Sequence, residues 1–357
     1  MPSTTVSPII RSDASDLEIN TYDAASDIPP RVVEVLRRNP TRTNVVLPII
    51  EKAISRELTG DIVETEELWL TCSSIDDEEN RTLDLVLSCS ESEMGKYPIF
   101  IVATVPFSRL TDQFLVPRIE NLILAMTRAG IRLDRVYSIF APEPITQLFA
   151  EIWTELTGAA HYETPYYAAM LSFCTRGSFR NRQATRTQGA VRYNLRPARI
   201  SDLDAVAALC HGFAADSEPF VLNDAGALKE AQMLIRKEQV WVHETQREGS
   251  NLPEIACLVA YTRNTQTTAT ITKVMTSPAH RGSGCAQRLV RQVCKHLLYS
   301  GKQAVALYVA HDNIPACKVY HNVGFVGLDK YHDQPIEGVE RWLEIGFDRA
   351  KVQLGHW

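Results

Sequence analysis

An α/β fold divided between two domains is predicted by three observations. Segments with a strand period of two alternate along the chain with segments of helical period, instead of being grouped into one block of each. The length of 357 residues exceeds the usual size of one domain. Between Arg176 and Gly189 the sequence RGSFRNRQATRTQG has almost no apolar residues and carries four arginines, which separates two regions of regular periodicity. An unpatterned basic stretch of this kind reads as a solvated linker and needs no ligand.

Residues 1 to 30 are rich in Ser, Thr, Asp and Pro and lack the basic start and apolar core of a signal peptide, so a disordered tail is predicted. The first domain, residues 31 to 175, opens with helical periodicity over Arg31 to Leu58, interrupted at Pro40. Glu67 to Cys72 and Thr82 to Cys89 alternate as strands, and Tyr97 to Val105 reads as a buried strand. A helix follows from Asp112 to Ala129, then a strand at Arg135 to Phe140, a helix at Pro144 to Leu156 and a strand at Tyr167 to Phe173.

In the second domain, residues 190 to 357, Val191 to Pro197 is a strand, and Ser201 with Asp202 and Asp204 caps a helix running to Ala215. Ala225 to Lys237 is another helix. Three strands follow at Val240 to His243, Ile255 to Tyr261 and Ala269 to Thr276, with a turn around Asn264 and Thr265. Helix Cys285 to Leu298, strand Ala304 to Val309, helix Ile314 to Asn322 and strand Arg341 to Phe347 complete the order β-α-α-β-β-β-α-β-α-β.

A formal charge of -6 provides no broad positive field for a polyanion, which argues against nucleic acid as a partner. The most apolar stretch, Pro98 to Phe107, is far shorter than the roughly 20 residues that cross a bilayer, so no membrane span is expected. The eight cysteines stand singly, with no CxxC pair and no zinc-like cluster. Reduced thiols in a cytoplasmic protein without a metal site fit that pattern. Nothing in the sequence sets the oligomeric state.

The chemistry concentrates in Lys273 to Leu289, KVMTSPAHRGSGCAQRL, where a glycine-containing turn joins a strand to an amphipathic helix. Gly282 and Gly284 can take backbone angles closed to other residues and leave no Cβ between chain and ligand. Free amides at the helix start can then point at one anion, helped by the helix dipole. No Gly-Lys-Ser/Thr follows, and Gln287 stands where a dinucleotide fingerprint needs its third glycine, so ATP and NAD are not indicated. A second element lies in Leu307 to Phe325, LYVAHDNIPACKVYHNVGF. Asn313, Ala316 and Tyr320 share one helix face there, a small residue leaving room for a thin ligand chain beside a tyrosine hydroxyl.

Together, R-G-S-G-C-A and N-x-x-A-x-x-x-Y-x-x-x-G-F resemble the GNAT acyltransferase superfamily, whose acyl-CoA loop has the form Arg/Gln-x-x-Gly-x-Gly/Ala. Arg281, Gly284 and Ala286 match its fixed positions, and the resemblance extends over Val191 to Phe347. It implies an α/β (α+β) fold with a central mixed, mostly antiparallel sheet flanked by helices. The first half loosely repeats the order, but its strand-to-helix junction, Pro106 to Asp112, has no glycine loop. It resembles a degenerate GNAT-like domain in a tandem arrangement, one that walls the acceptor cleft.

The resemblance implies acetyl-CoA as co-substrate and a small-molecule amine as acceptor, with no metal. The backbone of Val274, Met275 and Thr276 would pair with the pantetheine arm as an added strand does. Arg281 and the amides of Gly282, Ser283, Gly284, Cys285 and Ala286 would hold the pyrophosphate, and Asn313 the pantetheine region. Tyr320 would act as general acid on the departing thiolate. Many family members carry a carboxylate on the strand before the loop, yet Ala269 to Thr276 has none. His311 is the candidate base, with Glu254 and His243 as alternatives through water. Cys285 at a helix start could be a nucleophile, but its slot in the family holds a side chain packed under the loop. A CoA-binding protein without turnover, and acylation of a hydroxyl or of protein lysine, stay open.

Overall fold

A computed structural model describes residues 17–60, 66–181, 191–247, 253–329 and 335–356. In the first half, β1 (Leu17–Tyr22), α1 (Pro30–Arg38), α2 (Leu47–Thr59), β2 (Leu68–Ile75) and β3 (Arg81–Cys89) precede a two-stranded hairpin, β4 (Glu91–Ser92) and β5 (Gly95–Lys96). β6 (Ile99–Ala103), α3 (Asp112–Arg128), β7 (Ser138–Pro142), α4 (Glu143–Thr157) and β8 (Tyr167–Thr175) follow. The second half contains β9 (Val191–Pro197), α5 (Leu203–Ala215), α6 (Asp224–Arg236), β10 (Val240–Arg247), β11 (Glu254–Asn264) and β12 (Thr268–Thr276). It closes with α7 (Cys285–Tyr299), β13 (Ala304–Ala310), α8 (Ile314–Val323) and β14 (Glu340–Gly346).

Two details differ from the sequence expectation. The predicted tail over 1–30 becomes an edge strand from Leu17: Leu17 and Ile19 pack on the first core while Glu18 pairs with Arg81 at 2.5 Å. Its period-two alternation was masked by a Ser/Asp-rich composition; residues 1–16 lie outside the described residues. Asp202 does not cap α5 with its side chain. Its carboxylate instead accepts from both terminal nitrogens of Arg196, at 2.6 and 3.0 Å, and from the Arg199 N–H at 2.7 Å. A forked, charge-assisted pair outcompetes a single capping bond. Of the expected linker, Arg176 is tied to the Leu298 carbonyl at 2.9 Å, and 182–189 lie outside the described residues.

Twelve strands form one sheet in the order β1-β2-β3-β6-β7-β14-β8-β13-β12-β11-β10-β9. Only the β6/β7 and β12/β13 pairs are parallel; the rest of the described pairings in it are antiparallel. The two halves exchange strands at the centre. β14, from the second half, lies against β7 of the first (Ile345↔Ile139), while β8, from the first, lies against β13 of the second (Leu307↔Ser172). Trp342 on β14 is wholly buried, its ring 5.0 Å from Phe140 and 5.2 Å from Tyr308, so it joins side chains of both halves.

Strand alternation sorts the cores onto two faces. On β8, Ala168 packs with the α3/α4 core and Met170 with the α7/α8 core, while Tyr167 and Leu171 turn to the α1/α2 core. On β11, Val259 joins the α7/α8 core and Leu258 the α5/α6 core. Helices α3, α4, α7 and α8 thus cover one face, and α1, α2, α5 and α6 the other. Among the described residues no helix is long and apolar enough to cross a membrane, and no group of three or more His, Cys, Asp or Glu side chains could hold a metal.

Candidate active site

The site begins where two parallel strands part. β12 and β13 are paired only from Thr268↔Ala304 to Ile271↔Leu307. Beyond that, β12 stays with β11 (Met275↔Leu258) and β13 with β8 (Val309↔Met170). The backbone of Val274, Met275 and Thr276 is left on the free edge of a wedge, a template for an extended ligand. The β11/β12 register slips between Ala260↔Lys273 and Tyr261↔Ile271, leaving Thr272 as the extra residue, its hydroxyl 3.1 Å from that of Thr262. The slip resets the alternation, so Ile271 and Val274 both pack with the α7/α8 core, while Lys273 faces α5 and α6.

At the end of β12 a single 3-10 turn, Pro278–His280, leads into the glycine loop. Gly282 has φ +77° and Gly284 φ +75°, the left-handed region that a side chain disfavours. The N–H groups of Gly282, Gly284, Cys285 and Ala286 find no backbone acceptor among the described residues. They form an amide-lined N-terminus for α7, whose buried stripe of Leu289, Val290, Val293 and Leu297 anchors it to the sheet. Ser283 is held by its hydroxyl on the His280 carbonyl and by Arg288, which donates to the Ser283 carbonyl at 2.8 Å. The Arg281 guanidinium is mostly exposed, 3.8 Å from the Asp216 carboxylate. Cys285 is buried in the core beneath the turn, with its Sγ 3.3 Å from the Ser283 hydroxyl.

Across the wedge, Asn313 caps α8, its Oδ1 accepting from the Ala316 N–H at 3.1 Å. Tyr320 keeps 8% exposure, with its ring 5.7 Å from Phe325. Among the described residues no hydrogen bond to its hydroxyl is found. Burial pushes this phenol well above its ordinary value, with Tyr167 and Cys257 adding to the effect. It therefore keeps its proton at neutral pH. His311, directly after β13, is exposed and held by its N–H on the Ala168 carbonyl at 3.2 Å. Partial burial and then the Arg341 charge lower its pKa, against Glu143 and Asp312, and so favour the neutral imidazole.

The two alternative bases are engaged elsewhere. His243 is buried and stacked on Tyr193 at 5.2 Å, and its Nε2 accepts from Arg288 at 3.2 Å. Burial and the Arg288 charge bring it down to about 4. Glu254, on the rim of β11, pairs with His280 at 3.2 Å. A strand edge, an amide-lined turn and a protonated tyrosine therefore converge on one wedge, an arrangement suited to a long ligand with an anionic end.

Residues 212–325 match the family model described as Acetyltransferase (GNAT) family. Over those residues the chain is similar to GNAT acetyltransferases. Acyl-CoA-dependent acetyl transfer is the activity of that family. The comparison with curated proteins found no match. Among solved structures, the fold is similar to that of a Drosophila protein at TM-score 0.58 and 12% identity, covering 92% of this chain and 98% of that one. It is also similar to a GCN5-related N-acetyltransferase from Sphaerobacter thermophilus (TM-score 0.51, 12% identity, 96% of this chain and 98% of that one). A tandem GNAT protein from the clavulanic acid biosynthesis pathway is similar over 93% of this chain and 98% of its own (TM-score 0.50, 12% identity).

Three features around the wedge were not foreseen from sequence. Arg288 reads as a solvated position off the apolar stripe, yet it bridges the loop to His243 and lies 5.0 Å over the Tyr193 ring. Lys273, one polar residue in a strand, forms a buried pair with Glu230 of α6 at 2.8 Å. Arg263 of β11 lies 5.8 Å over the Phe100 ring of the first half. Only the spacing to helix faces on other elements could have indicated these partners. In the first half, β6 and β7 pair only at Ile99↔Ile139 and Phe100↔Phe140, so a second wedge exists. There Arg118 of α3 lies 3.7 Å over the Phe114 ring and 2.9 Å from the Asp84 carboxylate.

Proposed function

We propose that the protein transfers an acetyl group from acetyl-CoA to the amine of a small metabolite by direct attack. The observation that carries this reading is the parting of β12 and β13 after Ile271 and Leu307, with an amide-lined turn at one end and the Tyr320 hydroxyl at the other. Arg281 and the N–H groups of Gly282, Gly284, Cys285 and Ala286 hold the pyrophosphate, while the Ser283 N–H, also expected there, is directed at the His280 carbonyl at 3.4 Å. The free edge at Val274, Met275 and Thr276 pairs with the pantetheine arm, and Asn313 contacts it from α8. Acetyl-CoA supplies the thioester. The amine nitrogen forms the new C–N bond at the carbonyl carbon, and the C–S bond breaks as the tetrahedral intermediate collapses. Tyr320 gives its proton to the departing sulfur, while His311, poised neutral, takes the proton that the nitrogen loses.

In the same reading, residues 190–357 carry the catalytic machinery and 31–175 form a degenerate copy that walls the acceptor cleft. The hydrogen bond from Asn44 to the Tyr308 hydroxyl, 3.0 Å, supports this by tying the first half to the wedge. The described cysteines are free, in keeping with a cytoplasmic setting. Release of CoA thiol from acetyl-CoA across a panel of amines tests the proposal. Tyr320→Phe should lower kcat by about 10²- to 10⁴-fold with little change in CoA affinity. CoA binding with no thiol release for any amine would instead establish a non-catalytic binding protein.

A further inference from the structure

The amide-lined turn depends on the orientation of one peptide unit. In a trans peptide the C=O and the N–H point in opposite directions, so the Ser283 carbonyl and the Gly284 N–H cannot face the same side. Turned one way, the unit presents a donor to an anion at the helix start. Turned the other way, it presents a carbonyl oxygen that repels the anion. Gly284 has φ +75°, and a half-turn of the peptide takes that angle to the negative side, which glycine adopts about as readily. The backbone alone therefore leaves both orientations open.

Arg288 selects one of them. Helix side chains lean back toward the N-terminus, and Arg288, in the first turn of α7, reaches back over the loop. Its Nη2 donates to the Ser283 carbonyl at 2.8 Å, and its Nη1 would lie 3.1 Å from a Cβ on Gly284. With the carbonyl drawn to the guanidinium, the Gly284 N–H is directed away from it and has no backbone acceptor, like those of Cys285 and Ala286. The remaining polar groups of Ser283, its N–H and its hydroxyl, both go to the His280 carbonyl.

The guanidinium is fixed in turn by neutral groups on β9 and β10. Its Nε donates to His243 Nε2 at 3.2 Å, and it lies 5.0 Å over the Tyr193 ring, which stacks on the imidazole at 5.2 Å. Among the described residues no carboxylate pairs with Arg288, so no acid competes with the Ser283 carbonyl for its donors. We infer that Arg288 is a positioning residue for the donor: it holds the Ser283–Gly284 peptide so that the Gly284 amide meets the phosphate end of acetyl-CoA, and His243 and Tyr193 hold Arg288. It touches no reacting atom. The identity of the anion rests on the acetyl-CoA reading.

Calorimetry with CoA tests this without turnover. Arg288→Gln should bind CoA about tenfold or more weakly, and Arg288→Lys, which can still donate to one carbonyl, should recover part of the loss. His243→Leu should weaken CoA binding when Arg288 is present and add nothing in Arg288→Gln, a coupling that a merely structural histidine does not produce. In protein carrying isotope-labelled glycine, the Gly284 amide proton should move downfield on CoA addition in the wild type and stay in place in Arg288→Gln. In kinetics, KM for acetyl-CoA should rise more than kcat falls, while kcat/KM for S-acetylpantetheine, which lacks the pyrophosphate, should stay within about twofold of wild type and so report an intact fold. CoA affinity within about twofold of wild type in Arg288→Gln, equal losses for the two donors, or a His243→Leu loss that adds in full to that of Arg288→Gln overturns the positioning role. Arg288-dependent CoA binding with no amine consumed upholds it and overturns acetyl transfer alone. A wild type that does not bind CoA overturns both.

Discussion

Replacing Glu230 with Gln, which keeps its shape and removes its charge, leaves Lys273 as an unbalanced ammonium between β12, α5 and α6. The pair is 2.8 Å apart with side-chain exposures of only 10% and 9%, so little solvent screening discounts the effect. Breaking a buried pair from one side costs about 3–5 kcal/mol. The double variant Glu230→Gln/Lys273→Met should return to within about 1–2 kcal/mol of wild type, since neither charge remains. Urea midpoints for the four proteins at pH 7 and pH 5 give the cycle directly. Single-variant losses below about 1 kcal/mol, or a double variant that equals the sum of the singles, would falsify the claim that these charges depend on each other.

Acid stability provides a second check. The unfolded chain takes up a proton at His243 near pH 6.5, but the folded site resists protonation until about pH 4. More protons are thus bound by the unfolded state in that window, and stability should fall as pH is lowered, by about 2 kcal/mol between pH 7 and pH 5. A His243→Gln variant with the same acid slope in its urea midpoints would show that other groups are responsible. At the loop, Gly284→Ala meets a φ of +75° and places a Cβ 3.1 Å from the Arg288 Nη1. Strain of about 1–2 kcal/mol should weaken CoA binding by roughly 5- to 30-fold, read by calorimetry; unchanged affinity would remove the turn from the phosphate site. Trp342→Ala should cost about 3–5 kcal/mol in one cooperative transition, because its ring packs in both halves. Two separate transitions by circular dichroism would contradict the exchanged-strand architecture.

The glycine turn was legible because its determinants are local. A glycine turn before an amphipathic helix specifies both the αL backbone and the free amides within a few residues, and the spacing from Asn313 to Tyr320 fixes a shared helix face. Pairing partners are not local, so the reading of Arg341 to Phe347 announced a strand without saying that β7 would receive it. The same limit hid the partners of β12. No carboxylate stands on β12, and the one that reaches it, Glu230, comes from α6 to meet Lys273. Arg263 sits in a Thr- and Asn-rich run that reads as a strand end and turn, and the Phe100 ring that lies 5.8 Å from its guanidinium belongs to β6 of the other half.

The exchange of β8 and β14 also sets an order of events during synthesis. The β7 edge that accepts β14 is complete once Pro142 has been made, but its partner is not translated until residue 340. Throughout that interval the first half exposes an unpaired edge of buried-type residues, Ser138 to Pro142, a surface that invites mispairing with another nascent chain. Productive folding therefore waits on contacts about 200 residues apart, such as the 2.8 Å bond between Ser138 and Glu344. Neither half can be completed by a ribosome that stalls in the second.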